Sequence, residues 1–284
     1  MTQTHGPDGA PRSILITGCS SGIGRDAART LAARGWRVFA SCRAKTDCDS
    51  LRAEGFASPR IDYADADTIV SGLAEVLDAT GGTLDALFNN GAYALPGAVE
   101  DLPRDGLRAL FETNLFGVHD LTVRALPVMR AQGHGRIVNC SSVLGLVAAP
   151  WRGAYVASKF ALEGLTDTLR IEMADTPIHI VLIEPGPIDT PFRKNSIPPF
   201  ERWIAWRESP RRAQYESRLL KRLYDAPAAD RFQKPPSAVT DRLITALEAP
   251  TPKARYFVTS PTHAMGLARR ILPARLMDRI LSHG

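Results

Sequence analysis

A tyrosine and a lysine lie four residues apart in a stretch whose apolar spacing predicts a helix. Tyr155 and Lys159 therefore share one helix face, and both side chains can reach one ligand. An ammonium group beside a phenol favours the phenolate, which lowers the tyrosine pKa from about 10 toward neutral pH. Such a phenol can exchange a proton with an alcohol or carbonyl oxygen, and Ser142, after a predicted strand, can donate to the same oxygen. Taken singly, these residues are more often a surface pair and a helix cap.

A glycine-rich loop, defined here as residues 17–24 (TGCSSGIG), separates the first β-rich run from a helical stretch. Glycines permit a tight turn and close backbone approach, while a helix N-terminus offers unpaired N–H groups to a pyrophosphate. The alternative is a turn that binds nothing, but the position at the start of a strand–helix–strand unit favours a dinucleotide site. The candidate binding residues in this loop are Gly18, Ser20, Ser21, Gly22, Ile23 and Gly24.

The residues after the second predicted strand indicate which dinucleotide binds. NAD-selective domains of this kind usually carry an acidic residue there, which accepts hydrogen bonds from the ribose hydroxyls. This chain has Cys42 followed by Arg43, with Lys45 two residues further on. A neutral residue beside an arginine can hold a 2′-phosphate by a charge-assisted contact, so NADP(H) is predicted over NAD(H). The alternative is that Arg43 is a solvated surface charge.

Short β-rich runs alternate with amphipathic helical stretches along most of the chain, which is typical of a parallel sheet with helices on both faces. The predicted strands span residues 13–17, 36–42, 60–62, 84–89, 135–141, 179–184 and 255–259. The predicted helices lie near residues 23–34, 66–79, 103–130, 154–174 and 236–248. The predicted fold class is therefore α/β: a single Rossmann-type, doubly wound, seven-stranded parallel sheet flanked by helices.

One domain, residues 13–260, accounts for all of these elements, and a flexible tail is predicted before it at residues 1–12. Residues 191–235 are rich in Arg, Trp and Pro and carry no strand signal, which predicts an inserted helical lid. Residues 261–284 predict a basic amphipathic helical extension interrupted by Pro273. This extension either lies on an anionic membrane surface or docks over the pocket or against another subunit.

Taken together, these motifs resemble the classical short-chain dehydrogenase/reductase family, from about Ser13 to Thr190. The resemblance is carried by TGCSSGIG, NNGA (89–92), Asn114 within FETNLFG, Ser142, YVASK (155–159) and PGPIDT (185–190). It implies that Tyr155 is the general acid/base, that Lys159 binds the nicotinamide ribose and that Ser142 orients the carbonyl. It also implies that Asn114 holds a water in a proton relay; pinning a kink in a long helix is a compatible alternative.

The resemblance implies further contacts to the dinucleotide. Asp62 would meet the adenine amino group, with helix capping as the alternative role. Ser20, Ser21 and Arg43 correspond to the 2′-phosphate pocket of NADP(H)-preferring relatives. The remaining implied contacts are Asn90 and Gly91 at the adenosine ribose, with Pro185, Gly186, Ile188 and Thr190 toward the nicotinamide. The NNGA order departs from the family's usual NNAG, which leaves the backbone position there open.

Composition and charge exclude several classes of protein. The 284 residues are 44% hydrophobic and 23% charged, as in ordinary soluble globular chains, without an eighteen-residue apolar run or a secretory signal. Cys19, Cys42, Cys48 and Cys140 follow no metal-site or disulfide pattern, so no metal is predicted and a cytoplasmic location is expected. Residues 193–234 carry eleven Lys/Arg against five Asp/Glu but no nucleic-acid-binding motif, so specific nucleic-acid binding is not expected.

The predicted function is NADP(H)-dependent hydride transfer between nicotinamide and a lipophilic alcohol or ketone. The loop sequences look most like those of relatives that act on hydroxysteroids, retinoids or other lipophilic alcohols. The candidate substrate-site side chains, each with an equal claim to be lid packing, are Tyr93, Leu144, Ala149, Trp151, Phe192, Trp203 and Trp206. A catalytically silent dinucleotide sensor is the alternative, disfavoured because all four implied catalytic residues are present. The resemblance further implies a homo-oligomer.

Overall fold

The computed structural model describes residues 9, 11–225 and 231–282. Within these residues, six parallel strands form one sheet: β1 (Ser13–Ile16), β2 (Arg37–Ala40), β3 (Ala86–Asn89), β4 (Gly135–Cys140), β5 (Ile178–Glu184) and β6 (Arg255–Phe257). The strand order is β2-β1-β3-β4-β5-β6. The carboxyl ends of β1 and β3 therefore meet where the winding of the sheet reverses, which is where ligands bind in folds of this kind.

The predicted seventh strand is wrong, because residues 60–62 form no strand within the described chain. Single bridges join Phe39 to Ala57 and Cys42 to Arg60, and no ladder follows. Pro59 has no N–H to donate to a neighbouring strand, which interrupts pairing between the two bridges. The backbone N–H of Asp62 instead donates to the Thr68 hydroxyl at 2.9 Å, so the chain turns directly into the next helix.

Helices cover both faces of the sheet. The structure has α1 (Gly22–Ala33), α2 (Lys45–Ala53), α3 (Ala66–Thr80), α4 (Arg104–Phe111), α5 (Gly117–Gln132), α6 (Gly153–Glu172), α7 (Ile197–Trp203), α8 (Arg212–Gln214), α9 (Leu220–Tyr224), α10 (Ser237–Glu248), α11 (Ser260–Ile271) and α12 (Ala274–Leu281). Apolar residues of α1, α2 and α10 form the core on one face, while those of α3, α5 and α6 form the core on the other. Each helical stretch predicted from the sequence contains a helix.

Helix α2 was not predicted. Its sequence, KTDCDSLRA, is mostly polar, and only Cys48 and Leu51 are buried among its nine residues. Two apolar positions are too few to produce a periodic pattern. All four cysteines of the chain are buried free thiols.

The inserted segment contains short helices between residues 194 and 224, whereas the described residues 231–235 form a turn and a single bridge from Lys234 to Ile188. Phe200, Tyr215 and Leu219 are its buried centre, and they belong to a third apolar cluster that includes Ala154 at the start of α6. The Tyr215 hydroxyl accepts from the Ala98 N–H at 2.9 Å and donates to an Asp101 carboxylate oxygen at 2.7 Å. The insertion is therefore packed against the segment that leads into α4 and against the start of α6. Its opening and closing as a lid stay a prediction.

The two helices after β6 pack beside the loop that follows β4. The Arg269 guanidinium donates to the Leu146 carbonyl oxygen at 2.5 Å and lies 4.5 Å from the Phe160 ring centroid. Leu267, Ile271, Leu276 and Ile280 are exposed. Across the described residues, no helix combines the length and apolar character needed to cross a membrane. Membrane contact through this segment stays a prediction, and the predicted tail lies outside the described residues except at positions 9, 11 and 12.

Candidate active site

The glycine-rich loop joins β1 to α1 and leaves the end of that helix open. Gly18 has a left-handed φ of 70°, and a Cβ there would lie 2.8 Å from the Gly91 Cα. A Cβ on Gly24 would lie 2.4 Å from the Gly18 carbonyl oxygen. Ser21 is the extended N-cap of α1, and its side chain caps no N–H of the described residues. The first-turn amides of α1 thus remain available to an anion.

Asn90 and Gly91 brace this loop through Thr17, a residue that sequence reasoning missed. The Thr17 hydroxyl accepts from the backbone N–H groups of Asn90 and Gly91 at 2.9 and 3.1 Å. The Asn90 side chain donates back to the Thr17 carbonyl oxygen at 3.0 Å. Gly91 lies so close to Gly18 and Tyr63 that a Cβ there would be 3.1 Å from the Tyr63 ring. The NNGA order therefore places the smallest residue at this close approach.

A buried chain of polar side chains extends from this loop across the sheet, and sequence reasoning missed it too. The Tyr63 hydroxyl lies 2.8 Å from the Thr17 hydroxyl and donates to the Asn89 side-chain oxygen at 2.7 Å. Asn89 donates to Asn139 at 2.8 Å, and Asn139 donates to Thr166 of α6 at 3.0 Å. The available signal was an asparagine in each of two apolar strands, because Asn89 and Asn139 are register partners of β3 and β4.

Two of the residues predicted to select the coenzyme, Cys42 and Arg43, follow the carboxyl end of β2. Arg43 is exposed, and its guanidinium makes no ion pair or hydrogen bond with any other described residue. Ser20 is exposed and Ser21 is partly buried, whereas Cys42 is buried. A carboxylate oxygen of Asp62 accepts from the Ala64 N–H at 3.1 Å, while Asp65 is the N-cap of α3. The helix-capping alternative for Asp62 is therefore wrong.

Tyr155 and Lys159 lie on one face of α6, and both are buried. The Lys159 ammonium is 5.6 Å from the Tyr155 ring centroid and donates to the Cys140 carbonyl oxygen at the end of β4 at 2.7 Å. Ser142 caps the short 3₁₀ turn Val143–Gly145, accepting from the Leu144 N–H at 3.1 Å. Ser142 also lies close enough to the Tyr155 phenol to oppose the rise in the pKa of that phenol. The three predicted catalytic side chains thus lie where β4 ends and α6 begins.

The protonation of Tyr155 differs from the sequence expectation. Burial raises the pKa of the Tyr155 phenol, and Cys140 adds to the rise, while Ser142 and Arg152 oppose it. Burial also lowers the pKa of Lys159. Desolvation outweighs the nearby charge because both groups are withdrawn from water. The expected lowering of the Tyr155 pKa by Lys159 is therefore not what this arrangement produces, and the phenol is a protonated donor at neutral pH.

Asn114 lies in a π-helical segment, Glu112–Phe116, that interrupts the long helix between α4 and α5. Its side chain accepts from the Tyr93 N–H at 3.1 Å and donates to the Tyr93 carbonyl oxygen at 2.9 Å. It also donates to the Ser158 hydroxyl at 3.2 Å, one residue before Lys159. Asn114 thereby pins the irregular turn to the loop after β3 and to α6. Its role in holding a water stays a prediction.

The PGPIDT stretch connects the Tyr155 side of the site to the glycine-rich loop. The Pro185 carbonyl oxygen accepts from the Val143 N–H at 2.7 Å, next to Ser142. Thr190 lies against the loop at its other end, because a Cβ on Gly22 would be 2.9 Å from the Thr190 methyl group. Gly186 and Ile188 lie between these two contacts, and Ile188 also packs on the core.

The candidate substrate residues divide into two groups. The Phe192 ring lies edge-on to the Tyr155 ring, with centroids 5.4 Å apart. Leu144 and Ala149 lie on the loop between Ser142 and Tyr155 and are partly buried. Four aromatic residues instead pack on the apolar cluster of the insertion: Tyr93, Trp151, Trp203 and Trp206. Phe192 is thus the candidate whose contact with the catalytic tyrosine is direct.

This arrangement fits a nicotinamide dinucleotide. The glycine-rich loop leaves room and open amides for a pyrophosphate where a Cβ would intrude. Residues 89–91 and 185–190 extend from that loop toward Ser142, Tyr155 and Lys159, so the reactive end of a dinucleotide would lie beside the phenol. The coenzyme itself supplies a hydride donor or acceptor, while the protein supplies the proton donor.

Comparisons with known proteins agree with this geometry. A sequence profile described as short chain dehydrogenase matches residues 12–199. The uncharacterized oxidoreductase YbbO of Escherichia coli (strain K12) is 38% identical over 270 residues, covering 95% of this chain and 94% of that protein. Human retinol dehydrogenase 8 is 36% identical over 193 residues, covering 64% of this chain and 61% of that protein.

A solved structure resembles nearly the whole chain. The short chain dehydrogenase/reductase from Burkholderia phymatum, in complex with NAD, has a TM-score of 0.75 and 25% sequence identity. The match covers 99% of this chain and 96% of that one. On the matched profile and the full-length relative, this chain belongs to the short-chain dehydrogenase family and is an oxidoreductase.

Proposed function

We propose that the protein is an NADP(H)-dependent oxidoreductase that interconverts a lipophilic alcohol and its carbonyl form. The observation that carries the proposal is the buried Tyr155 phenol on α6, whose ring centroid lies 5.6 Å from the Lys159 ammonium and whose raised pKa Ser142 opposes. A dinucleotide sensor would need the loop but not these three side chains. Their convergence therefore favours an enzyme over a silent sensor.

Each side chain has a defined part in the proposed reaction. Ser142 and Tyr155 hydrogen-bond to the substrate oxygen, and Tyr155 delivers or takes the proton there as its charge changes. Lys159 holds the coenzyme ribose and, through its positive charge, stabilises the phenolate left after proton transfer. Asn114 keeps the adjoining turn of the long helix and Ser158 in place. Residues 185–190 hold the nicotinamide end against the phenol.

The preference for NADP(H) rests on Arg43. Its guanidinium, which no described residue pairs, is exposed, and the preceding residue is the neutral Cys42. A 2′-phosphate would give this cation a partner, whereas a ribose 2′-hydroxyl would find no carboxylate at the end of β2. The Burkholderia phymatum relative binds NAD, so the proposal depends on this residue rather than on the relative.

The lipophilic substrate class is supported by the surroundings of the phenol. Phe192 covers one side of Tyr155, and the partly buried Leu144 and Ala149 line the loop that precedes it. Retinol dehydrogenase 8, named for a lipophilic alcohol, is among the relatives. Helix α11 docks on the same loop through Arg269 and adds to the enclosure of the site.

A panel of aliphatic, retinoid and steroid ketones, aldehydes and alcohols tests the proposal. We expect NADPH absorbance at 340 nm to fall with a lipophilic carbonyl, faster than NADH absorbance does at equal concentration. Small hydrophilic carbonyls such as acetone serve as matched controls and are expected to react poorly. Consumption of neither coenzyme by any member of the panel, with NADPH binding intact, would favour the silent sensor.

A further inference from the structure

Arg152 is a partly buried arginine three residues before Tyr155, and no acidic residue in the described part of the chain pairs with it. It is the N-cap residue of α6. Among the residues that the structure describes, its guanidinium takes part in no ion pair and no hydrogen bond. A buried cation without a carboxylate or carbonyl partner is costly, so such a group usually has a ligand.

The backbone that carries Arg152 is fixed by a strained residue. Trp151 has a φ of 64°, in the left-handed region that bulky residues rarely adopt. Its carbonyl oxygen accepts from the Gly97 N–H at 3.0 Å, and its ring lies 4.9 Å from the Tyr215 ring of the insertion. Strain of this kind is retained where the surrounding contacts enforce it, and it is concentrated at functional sites. The contacts of Trp151 therefore hold Arg152 at the start of α6.

A second arginine lies next in sequence to an aromatic residue that packs on the phenol. Arg193 directly follows Phe192, whose ring contacts Tyr155 at 5.4 Å between centroids. The Arg193 guanidinium also makes no ion pair or hydrogen bond in the described part of the chain. Burial lowers the pKa of Arg152 to about 10, and the positive charges of Arg222 and Arg193 add to that lowering.

Three carboxylates of the neighbouring elements are engaged elsewhere. Glu100 pairs with Arg211, and Asp101 accepts from Ser209 and Tyr215. Glu201 of α7 accepts from the Tyr224 hydroxyl at 2.9 Å. These carboxylates therefore do not neutralise the positive charge of Arg152 and Arg193.

We propose that the substrate carries an anionic group, a carboxylate or phosphate, which Arg152 and Arg193 bind while its apolar part lies against Phe192. The inference rests on the proposed function, because it names the substrate class of the same site. Guanidinium groups bind carboxylates and phosphates through paired, charge-assisted hydrogen bonds. The substrate is accordingly an amphiphilic anion rather than a neutral lipid.

Binding of unreactive amphiphiles tests this inference without turnover. Octanoate, its neutral amide octanamide, and octyl phosphate would be titrated by calorimetry into the whole protein, with and without saturating NADPH. We expect at least one of the two anions to bind about tenfold or more tightly than octanamide. The tighter anion assigns the chemical class: octanoate a carboxylate, octyl phosphate a phosphate.

Variants then place the effect. Arg152→Gln and, independently, Arg193→Gln are expected to lower the affinity for the preferred anion by about tenfold to 100-fold, as expected for charged hydrogen bonds. Their preference for the anion over octanamide falls accordingly. Arg104→Gln, at an exposed position at the start of α4, is the matched control and retains the preference.

Three results would overturn the inference: equal affinities for octanamide and both anions in the unaltered protein, an anion preference that persists in both variants, or weakened NADPH binding in both variants with the anion preference intact. The last result would assign the arginines to a coenzyme phosphate. A folded Arg193→Gln variant keeps the test valid if Arg152→Gln does not fold. Anion binding without turnover on the substrate panel would count against the proposed function and leave this inference standing.

Discussion

At the scale of single residues, Tyr155 owes its protonation to burial. Desolvation raises the pKa of the phenol more than Ser142 lowers it. In the proposed reduction the phenol is therefore a neutral proton donor. Residue spacing predicts which side chains converge, because positions four apart share a helix face. Spacing does not predict their exposure, and desolvation therefore reversed the expected direction of the pKa shift.

The proposed preference for NADP(H) depends on Arg43. Replacing Arg43 by Ala removes the unpaired guanidinium at the end of β2, so we expect NADPH affinity to fall by about tenfold while NADH affinity changes little. Fluorescence titrations of both coenzymes into the purified variant measure the ratio of dissociation constants. Arg104→Ala is the control at another exposed position. A ratio equal to that of the unaltered protein would mean that Arg43 does not select the phosphate.

At the scale of elements, one arginine joins the catalytic helix to the sheet. Arg255 of β6 pairs with Glu163 and Asp167 of α6 and with Glu184 at the end of β5. Glu163 lies one turn after Lys159, and Glu184 directly precedes Pro185. The cluster therefore links the helix that carries Tyr155 to the segment that faces the nicotinamide end.

Glu184 makes this cluster sensitive to pH. Burial and the charge of Glu163 raise its pKa from an ordinary 4.5 to about 8, although Arg255 opposes the rise. The folded protein thus keeps a proton that the unfolded chain loses, and stability from this group declines as pH rises from about 4.5 through about 8. We expect Glu184→Gln to become more stable relative to the unaltered protein as pH increases across this window.

Urea unfolding at several pH values from 5 to 9 measures this difference. Glu75→Gln, at an exposed position on α3, is the matched control and should track the unaltered protein. A stability difference between Glu184→Gln and the unaltered protein that stays constant with pH, or shrinks as pH rises, would contradict the assignment of the raised pKa.

The elements that sequence reasoning predicted are those with a strong apolar period. Helices α1, α3, α6 and α10 carry clear apolar stripes, whereas the polar α2 does not. The strand predicted at residues 60–62 has a single β-branched residue, Ile61, and it follows Pro59, which has no N–H to donate. The π-helical turn at Asn114 has no apolar period of its own, so the sequence indicated one continuous helix there.

At the scale of the whole molecule, the site depends on contacts between distant segments. Residues 89–91 contact the glycine-rich loop because β1 lies beside β3. Thr190 contacts the same loop at Gly22, the first residue of α1. Family motifs predicted these positions. They did not predict the hydrogen bonds through Thr17, Tyr63 and Asn139, because those contacts arise from tertiary packing. Exposed apolar side chains on α5 and α6, Val123 and Leu165, are compatible with the predicted homo-oligomer, which stays a prediction.

In the proposed reaction, the Tyr155 hydroxyl transfers the proton, whereas coenzyme binding does not depend on this hydroxyl. The most direct test is Tyr155→Phe, assayed by NADPH absorbance on the best substrate of the panel and by fluorescence titration of NADPH. We expect the turnover of Tyr155→Phe to be lower by a factor of about 10² to 10⁴, which is the usual contribution of general acid catalysis. Its affinity for NADPH should stay within about twofold of that of the unaltered protein. Turnover close to that of the unaltered protein would contradict the proposed role of Tyr155.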